Sequence, residues 1–233
     1  MKSLLDSNID FDADFYRNIV SLRESEHLFD DLTGEDADLH AVAVQAEMRV
    51  KRDIPRGIIG RGFHYSTAIE YPFITEPYVE SRYGDGSFPV LYGSMDLETT
   101  IHETCYHMAK FESHSEGIDE VIVRDRAIYL IHGRAVLVDL TNKRSAFPQL
   151  LSNEYSFTQQ IGKRLSKEGH PGIMAPSAQC DGTNIVFLNI EVLSDPRIHC
   201  YLTYRLDPAT WKITVEKRSG EVIEVIEAGR WIQ

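Results

Sequence analysis

The chain has 233 residues, of which 42% are hydrophobic and 10% aromatic, and a formal net charge of −12. That length suits one domain, or one domain with an appendage, and the composition is that of a globular protein able to bury a core. It excludes a membrane span, which needs roughly 18 consecutive apolar residues, and the acidic balance speaks against direct nucleic-acid binding, which needs clustered cations to displace counterions.

From Met1 to Asp14 apolar residues alternate with acidic ones, without the apolar core of a secretion signal, so a cytoplasmic location is expected. Between Met1 and Leu39 stand 11 acidic residues against Lys2, Arg17 and Arg23, a surplus of eight negative charges, 11 − 3. Phe15, Ile19, Leu22 and Leu28 suggest helix across Phe11 to Leu39, with a break near Gly34. Residues 1–58 are therefore read as an acidic, mainly helical N-terminal appendage. It presents either a solvated face or a docking surface for a basic partner. His40 to Arg49 is too short for periodicity to decide between helix and strand, and Pro55 with Gly57, Gly60 and Gly62 marks a boundary.

A core is expected over residues 59–195. It opens with a strand at Phe63 to Thr67, a turn at Arg82 to Gly86 and a short strand at Phe88 to Tyr92. A helix follows, capped by Asp96, with Leu97, Ile101, Cys105 and Met108 at helical spacing. Val121–Val123, Ala127–Ile131 and Ala135–Asp139 read as consecutive strands, and Tyr155–Leu165 as a helix ending near Gly169. Gly172–Pro176 and Ile185–Glu191 bracket a loop between two more strands. Residues 196–233 form an antiparallel meander of Cys200–Arg205, Trp211–Lys217 and Glu221–Ile226, in which Trp211 and Trp231 pack. Strands and helices mix without a βαβ alternation, so the fold class is α+β.

Chemistry is carried by few residues. Cys105, Cys180 and Cys200 form no CxxC pair, which argues against a disulfide framework or structural zinc. His102 and His107 flank Glu103 as in a zinc-protease helix, but five residues separate them by roughly 140° around a helix, too far to grip one ion. No metal is expected. Glu103 points away from the apolar stripe and shares a face with Thr99 and His107, a placement that suits a solvated side chain or a carboxylate presented to a cleft. Arg82 precedes the glycine-spaced turn Gly84-Asp85-Gly86, where backbone could approach an anion and a guanidinium could fork two phosphate oxygens. Tyr92 at a strand end could stack on a flat heterocycle, and Ser177 offers a hydroxyl.

In order and spacing these residues resemble the RES domain family, named for arginine, glutamate and serine. Arg82-Tyr83, Gly86, Tyr92 and Glu103 fill the family's places, with Tyr92 and Glu103 eleven residues apart. Leu97 to His102 resembles the stretch leading to the glutamate. Met174-Ala175-Pro176-Ser177-Ala178, followed by Asn184-Ile185-Val186-Phe187, resembles the serine segment and the strand after it. Tyr83 stands where the family more often has tryptophan. The family's early arginine, set after an aromatic, is matched by His64 in Phe63-His64-Tyr65, with Arg61 three residues upstream. The His64-Tyr65 pair is also similar to the ribose-binding histidine strand of diphtheria-toxin-like ADP-ribosyltransferases.

The resemblance implies an ADP-ribosyltransferase-like split β-sandwich with flanking helices that holds NAD in a central cleft. It implies an NAD glycohydrolase or phosphorylase, the toxin of a toxin–antitoxin pair, with NAD as substrate rather than cofactor and phosphate as a conceivable co-substrate. Glu103 would steady the ribose, Arg82 would neutralise pyrophosphate, Tyr92 would pack on nicotinamide or ribose, and Ser177 would orient ribose or amide. Arg61, His64 and Tyr65 are the further NAD-binding candidates. The implied partner is an Xre-type helix-turn-helix antitoxin, and a homodimer is left open. Two alternatives stand beside this one: an ADP-ribosyltransferase acting on a protein or nucleotide, and a non-catalytic NAD- or ADP-ribose-binding module.

Overall fold

The computed structural model describes residues 3–21, 66–74, 76–115, 117 and 119–232. Among them the fold is α+β, and its longest ladder begins at the N-terminus. Strand β1 (Asn8–Val20) runs antiparallel to β3 (Ile122–Asp139) along its whole length, from Asn8↔Val138 to Val20↔Arg126. The helix expected from Phe11 onward is therefore corrected to a strand as far as Val20. Phe15 and Ile19 are four residues apart, a separation shared by the helical and the strand period, so that pair could not discriminate. The alternation of Ile9, Phe11, Ala13 and Phe15 with Asp10, Asp12 and Asp14 was the better guide, because the first set packs into the core. Asp12 and Asp14 lie on the other face against His132, at 3.1 and 3.2 Å, and Asp14 also pairs with Arg197. Part of the acidic surplus is thus neutralised within the sheet. The expected features from Leu22 to Tyr65 lie outside the described residues.

The strand order is β1-β2-β5-β4-β3-β6-β7-β8, with β1 also pairing β3. β2 (Leu91–Ser94), β5 (Thr183–Phe187) and β4 (Gly172–Pro176) thereby close a ring with β1 and β3, while β6 (Leu193–Asp207), β7 (Lys212–Arg218) and β8 (Glu221–Glu227) extend outward. The split occurs on one edge of β3, which pairs with β6 as far as Gly133 and with β4 only from Val138. The three strands expected between Val121 and Asp139 are one strand of 18 residues. Its polar interruptions stay extended because β6 pairs with Arg124 to Arg126 and β1 with His132 to Arg134. At Gly133 a Cβ would lie 2.8 Å from the Phe187 ring and 3.0 Å from Phe11, so that position admits aromatic packing that a side chain would block.

Ser66 and Thr67, expected at the end of a strand, open a helical turn that leads into α1 (Tyr71–Ile74). α2 (Leu97–Glu112) is capped as expected, with Asp96 Oδ1 accepting from Thr99 N at 2.6 Å. Its stripe of Ile101, Cys105 and Met108 packs on Ile128, Leu202, Tyr204, Ile213 and Val215. α3 (Ser156–Lys167) buries Ile161 and Leu165 with Tyr83, Val138 and Ile173. The two helices and the split between strands position the side chains described next.

Candidate active site

Glu103 projects from α2 across the ends of β4 and β5. Its Oε1 accepts from Ser177 Oγ at 2.7 Å and from Asn184 Nδ2 at 2.6 Å, while Oε2 has no hydrogen-bond partner among the described residues. Asn184 is aimed in turn by Ser94 Oγ, which donates to its Oδ1 at 2.9 Å. Ser177 is 2% exposed, and its Oγ accepts from the backbone N–H groups of Gln179 and Cys180 at 3.0 and 3.3 Å. Ser177 is thus buried, with its hydroxyl donating to the carboxylate of Glu103. The loop carrying it sits on α2: at Gly182 a Cβ would fall 1.8 Å from Thr99 Oγ1.

Arg82 stands on the turn before β2. Its Nη1 donates to the carbonyls of Leu150, at 3.3 Å, and Ser152, and the guanidinium lies 4.7 Å from the centre of the Tyr155 ring. Nε and Nη2 remain without a partner among the described residues. The turn is fixed from below by Tyr92, whose hydroxyl accepts from Tyr83 N at 2.7 Å and donates to Ser81 Oγ at 2.9 Å. Burial pushes the Tyr92 phenol up to about 12, so it stays neutral. α3 closes on the same turn, since a Cβ at Gly162 would lie 1.8 Å from the Tyr83 carbonyl oxygen. The turn glycines are packed against the chain itself. A Cβ at Gly84 would meet Val90 and Ser81, Gly86 has φ +79°, and Asp85 between them is paired with Lys163 at 2.6 Å.

The charges of Arg82 and Glu103 act on the same two tyrosines. Tyr83 is 1% exposed, its hydroxyl is unpartnered, and its pKa is raised by burial and then by Tyr92, with Arg82 opposing and Glu103 adding. Tyr106 is raised to about 12 by burial first, with the charges of Tyr155, Arg82 and Glu103 contributing. At His107 desolvation lowers the pKa, the Glu103 charge opposes that shift, and Arg82 and Arg126 reinforce it. His107 is solvent-exposed.

His102 points elsewhere, to Glu224 on β8 at 3.0 Å, so the two histidines of the zinc-like motif diverge. Among the described residues no cluster of three or more His, Cys, Asp or Glu could hold a metal ion, and no helix is long and apolar enough to cross a membrane. Arg61, His64 and Tyr65 lie outside the described residues. Asn184 and Ser94 have no role in the sequence reading. Asn184 opens a stretch that the resemblance covers, but its contact with Glu103 spans 81 positions, and spacing carries no signal for it.

A family model described as the RES domain matches residues 54–207, more than half of the chain. Among curated proteins none matches significantly. Among solved structures, the chain is similar to one in the crystal structure of the M. tuberculosis MbcT–MbcA toxin–antitoxin complex. The identity is 12%, the TM-score 0.45, and the match covers 88% of this chain and 89% of that one.

Proposed function

This chain belongs to the RES domain family, and we propose that it degrades NAD by breaking the bond between nicotinamide and ribose. The observation that carries this reading is Glu103: Oε1 is fixed by Ser177 and Asn184, while Oε2 has no hydrogen-bond partner among the described residues. Nicotinamide is a cationic leaving group, so cleavage needs no strong general acid. The transition state has oxocarbenium character, and a fixed carboxylate stabilises the positive charge that develops on the ribose while accepting a ribose hydroxyl. Nε and Nη2 of Arg82 would meet the pyrophosphate. Tyr92 holds the Arg82 turn, and Ser177 acts on the ligand through Glu103.

Water or phosphate completes the reaction as acceptor; the alternative of transfer to a macromolecule uses the same carboxylate. We further propose that the protein is a cytoplasmic toxin held in check by an Xre-type helix-turn-helix antitoxin. The family to which the chain belongs supports this.

Glu103→Gln preserves the shape of the side chain and removes its charge. Purified variant should melt like the parent and lose on the order of 10² to 10³ in NAD turnover. Near-parental nicotinamide release from the variant refutes the assignment. With labelled NAD, free ADP-ribose or its phosphorylated form supports degradation, whereas a labelled macromolecule selects transfer.

A further inference from the structure

The described histidines differ in what holds them. His102 reaches Glu224 at 3.0 Å, His114 lies 2.6 Å from the Lys110 carbonyl oxygen, His132 sits between Asp12 and Asp14, and His170 approaches Glu168 at 3.6 Å. His199 on β6 rests its ring against Tyr16 at 5.3 Å. His107 is solvent-exposed and has no hydrogen bond or ion pair among the described residues. Its place is set by α2. Glu103 and His107 are four residues apart on that helix, so their side chains rise from one face with about 5–6 Å between Cβ atoms. The face emerges from the protein in steps: Thr99 is buried against Gly182, Glu103 is half-buried against Ser177 and Asn184, and His107 is open. Tyr106, itself buried, meets the His107 ring edge-on at 5.2 Å and donates its hydroxyl to Asn153 Oδ1 at 3.1 Å. Asn153 follows Ser152, whose carbonyl accepts from Arg82. One helix face thus joins His107 to Glu103, and one chain of contacts joins it to Arg82.

Hydrolysis of NAD leaves a proton to be placed. The bond from C1′ of the ribose to nicotinamide breaks, and its electron pair goes to nicotinamide. A lone pair of water forms the new C1′–O bond, and that water must then lose a proton. Glu103 is not free to take it. Two donors occupy Oε1, Oε2 is left for a ribose hydroxyl, and the charge has to last while the ribose is cationic. An imidazole one helical turn away, with both ring nitrogens unengaged among the described residues, is the remaining acceptor on that face. Desolvation holds the His107 pKa below its ordinary value, with Glu103 opposing and Arg82 and Arg126 reinforcing, so the ring is neutral near pH 7.

We infer that His107 is the general base of the reaction: it takes the proton of the water that attacks the ribose, and water is the acceptor the site is built to use. The imidazolium returns that proton to solvent through its exposed edge. NAD and water become ADP-ribose, nicotinamide and a proton. An anionic acceptor such as phosphate or azide carries no proton that has to be removed, so it gains nothing from His107. This inference rests on the NAD reading and chooses its acceptor.

The test is His107→Gln in the full-length protein, with nicotinamide release followed in water alone and with added azide, which yields a ribosyl azide. Hydrolysis by the variant should fall about 10²-fold or more at pH 7, as loss of a general base predicts, with the KM for NAD near the parental value. The azide product should form at the parental rate. Parental hydrolysis by the variant overturns the proposal and leaves the NAD reading standing. An equal loss with water and with azide also overturns it, because a general base does not act on azide. A parent that releases no nicotinamide under either condition brings down the NAD reading and this proposal together. Where azide gives no product or His107→Gln folds poorly, His107→Ala with added imidazole replaces it: restored hydrolysis supports the base, and no restoration overturns it.

Discussion

Glu103 and Arg82 are held by different means, and the difference separates what can be lost from what can only be displaced. Glu103 is fixed by side chains from distant elements, Ser177 and Asn184, and Asn184 is itself aimed by Ser94. Each of those contacts can be deleted by substitution. Arg82 is fixed by backbone carbonyls of Leu150 and Ser152 and by a turn that α3 clamps at Gly162. The two carbonyls cannot be deleted by substitution, but the clamp can be forced apart. The carboxylate station is thus sensitive to chemistry and the arginine station to volume.

The largest effect of an indirect kind should come from the carboxylate side. Asn184→Ala removes a charge-assisted hydrogen bond from Oε1 and leaves Ser94 Oγ without its acceptor. A bond of that kind is worth about 1.5–3 kcal/mol, so nicotinamide release should fall roughly 10- to 150-fold while ligand affinity changes little. A loss confined to KM would place Asn184 in binding instead. On the arginine side, Gly162→Ala drives a methyl against a backbone oxygen that cannot rotate away. It should destabilise by about 1–3 kcal/mol, as overpacking does, and raise the KM for NAD. Gly182→Ala meets a side chain, so Thr99→Ala should restore part of its melting temperature. No second-site truncation should restore Gly162→Ala, and an equal rescue of both would erase the distinction.

How much of this could be read from the sequence follows the same line. The cap at Asp96 and the stripe of α2 are local, and both lie where the residues suggest. The β1 ladder is not local: its partner lies more than a hundred residues away, and Phe15 and Ile19 fit a helix as well as a strand. Glu103 and Arg82 were legible through the order of residues around them, and both bear on the same tyrosines. Asn184 was not, because a side chain that aims a carboxylate across the fold leaves no periodic trace. The resemblance cast Ser177 as a contact to the ligand. Its burial and its bond to Glu103 were not legible, because both are properties of the packed loop.

Tyr92→Phe sharpens the comparison at smaller amplitude. It leaves the Tyr83 N–H and Ser81 Oγ without their shared partner, which should cost about 1–3 kcal/mol for the unmet buried donor. The melting temperature should fall, while turnover falls only as far as Arg82 shifts. Loss of turnover without loss of stability would mean that the hydroxyl touches the ligand.

The smallest effect reads the charges themselves. Desolvation holds the His107 pKa below its ordinary value, with Glu103 acting the other way. Because the folded state binds fewer protons than the unfolded chain near and below that ordinary value, about 6.5, this histidine makes stability rise with pH through that window and removes it on acidification. Removing the Glu103 charge should lower the His107 pKa further, and removing the Arg126 charge should raise it. A proton NMR titration of the His107 ring in Glu103→Gln and Arg126→Gln measures both signs. Opposite movements put the carboxylate and Arg126 within reach of one ring; a histidine indifferent to both substitutions would show that neither charge acts on it.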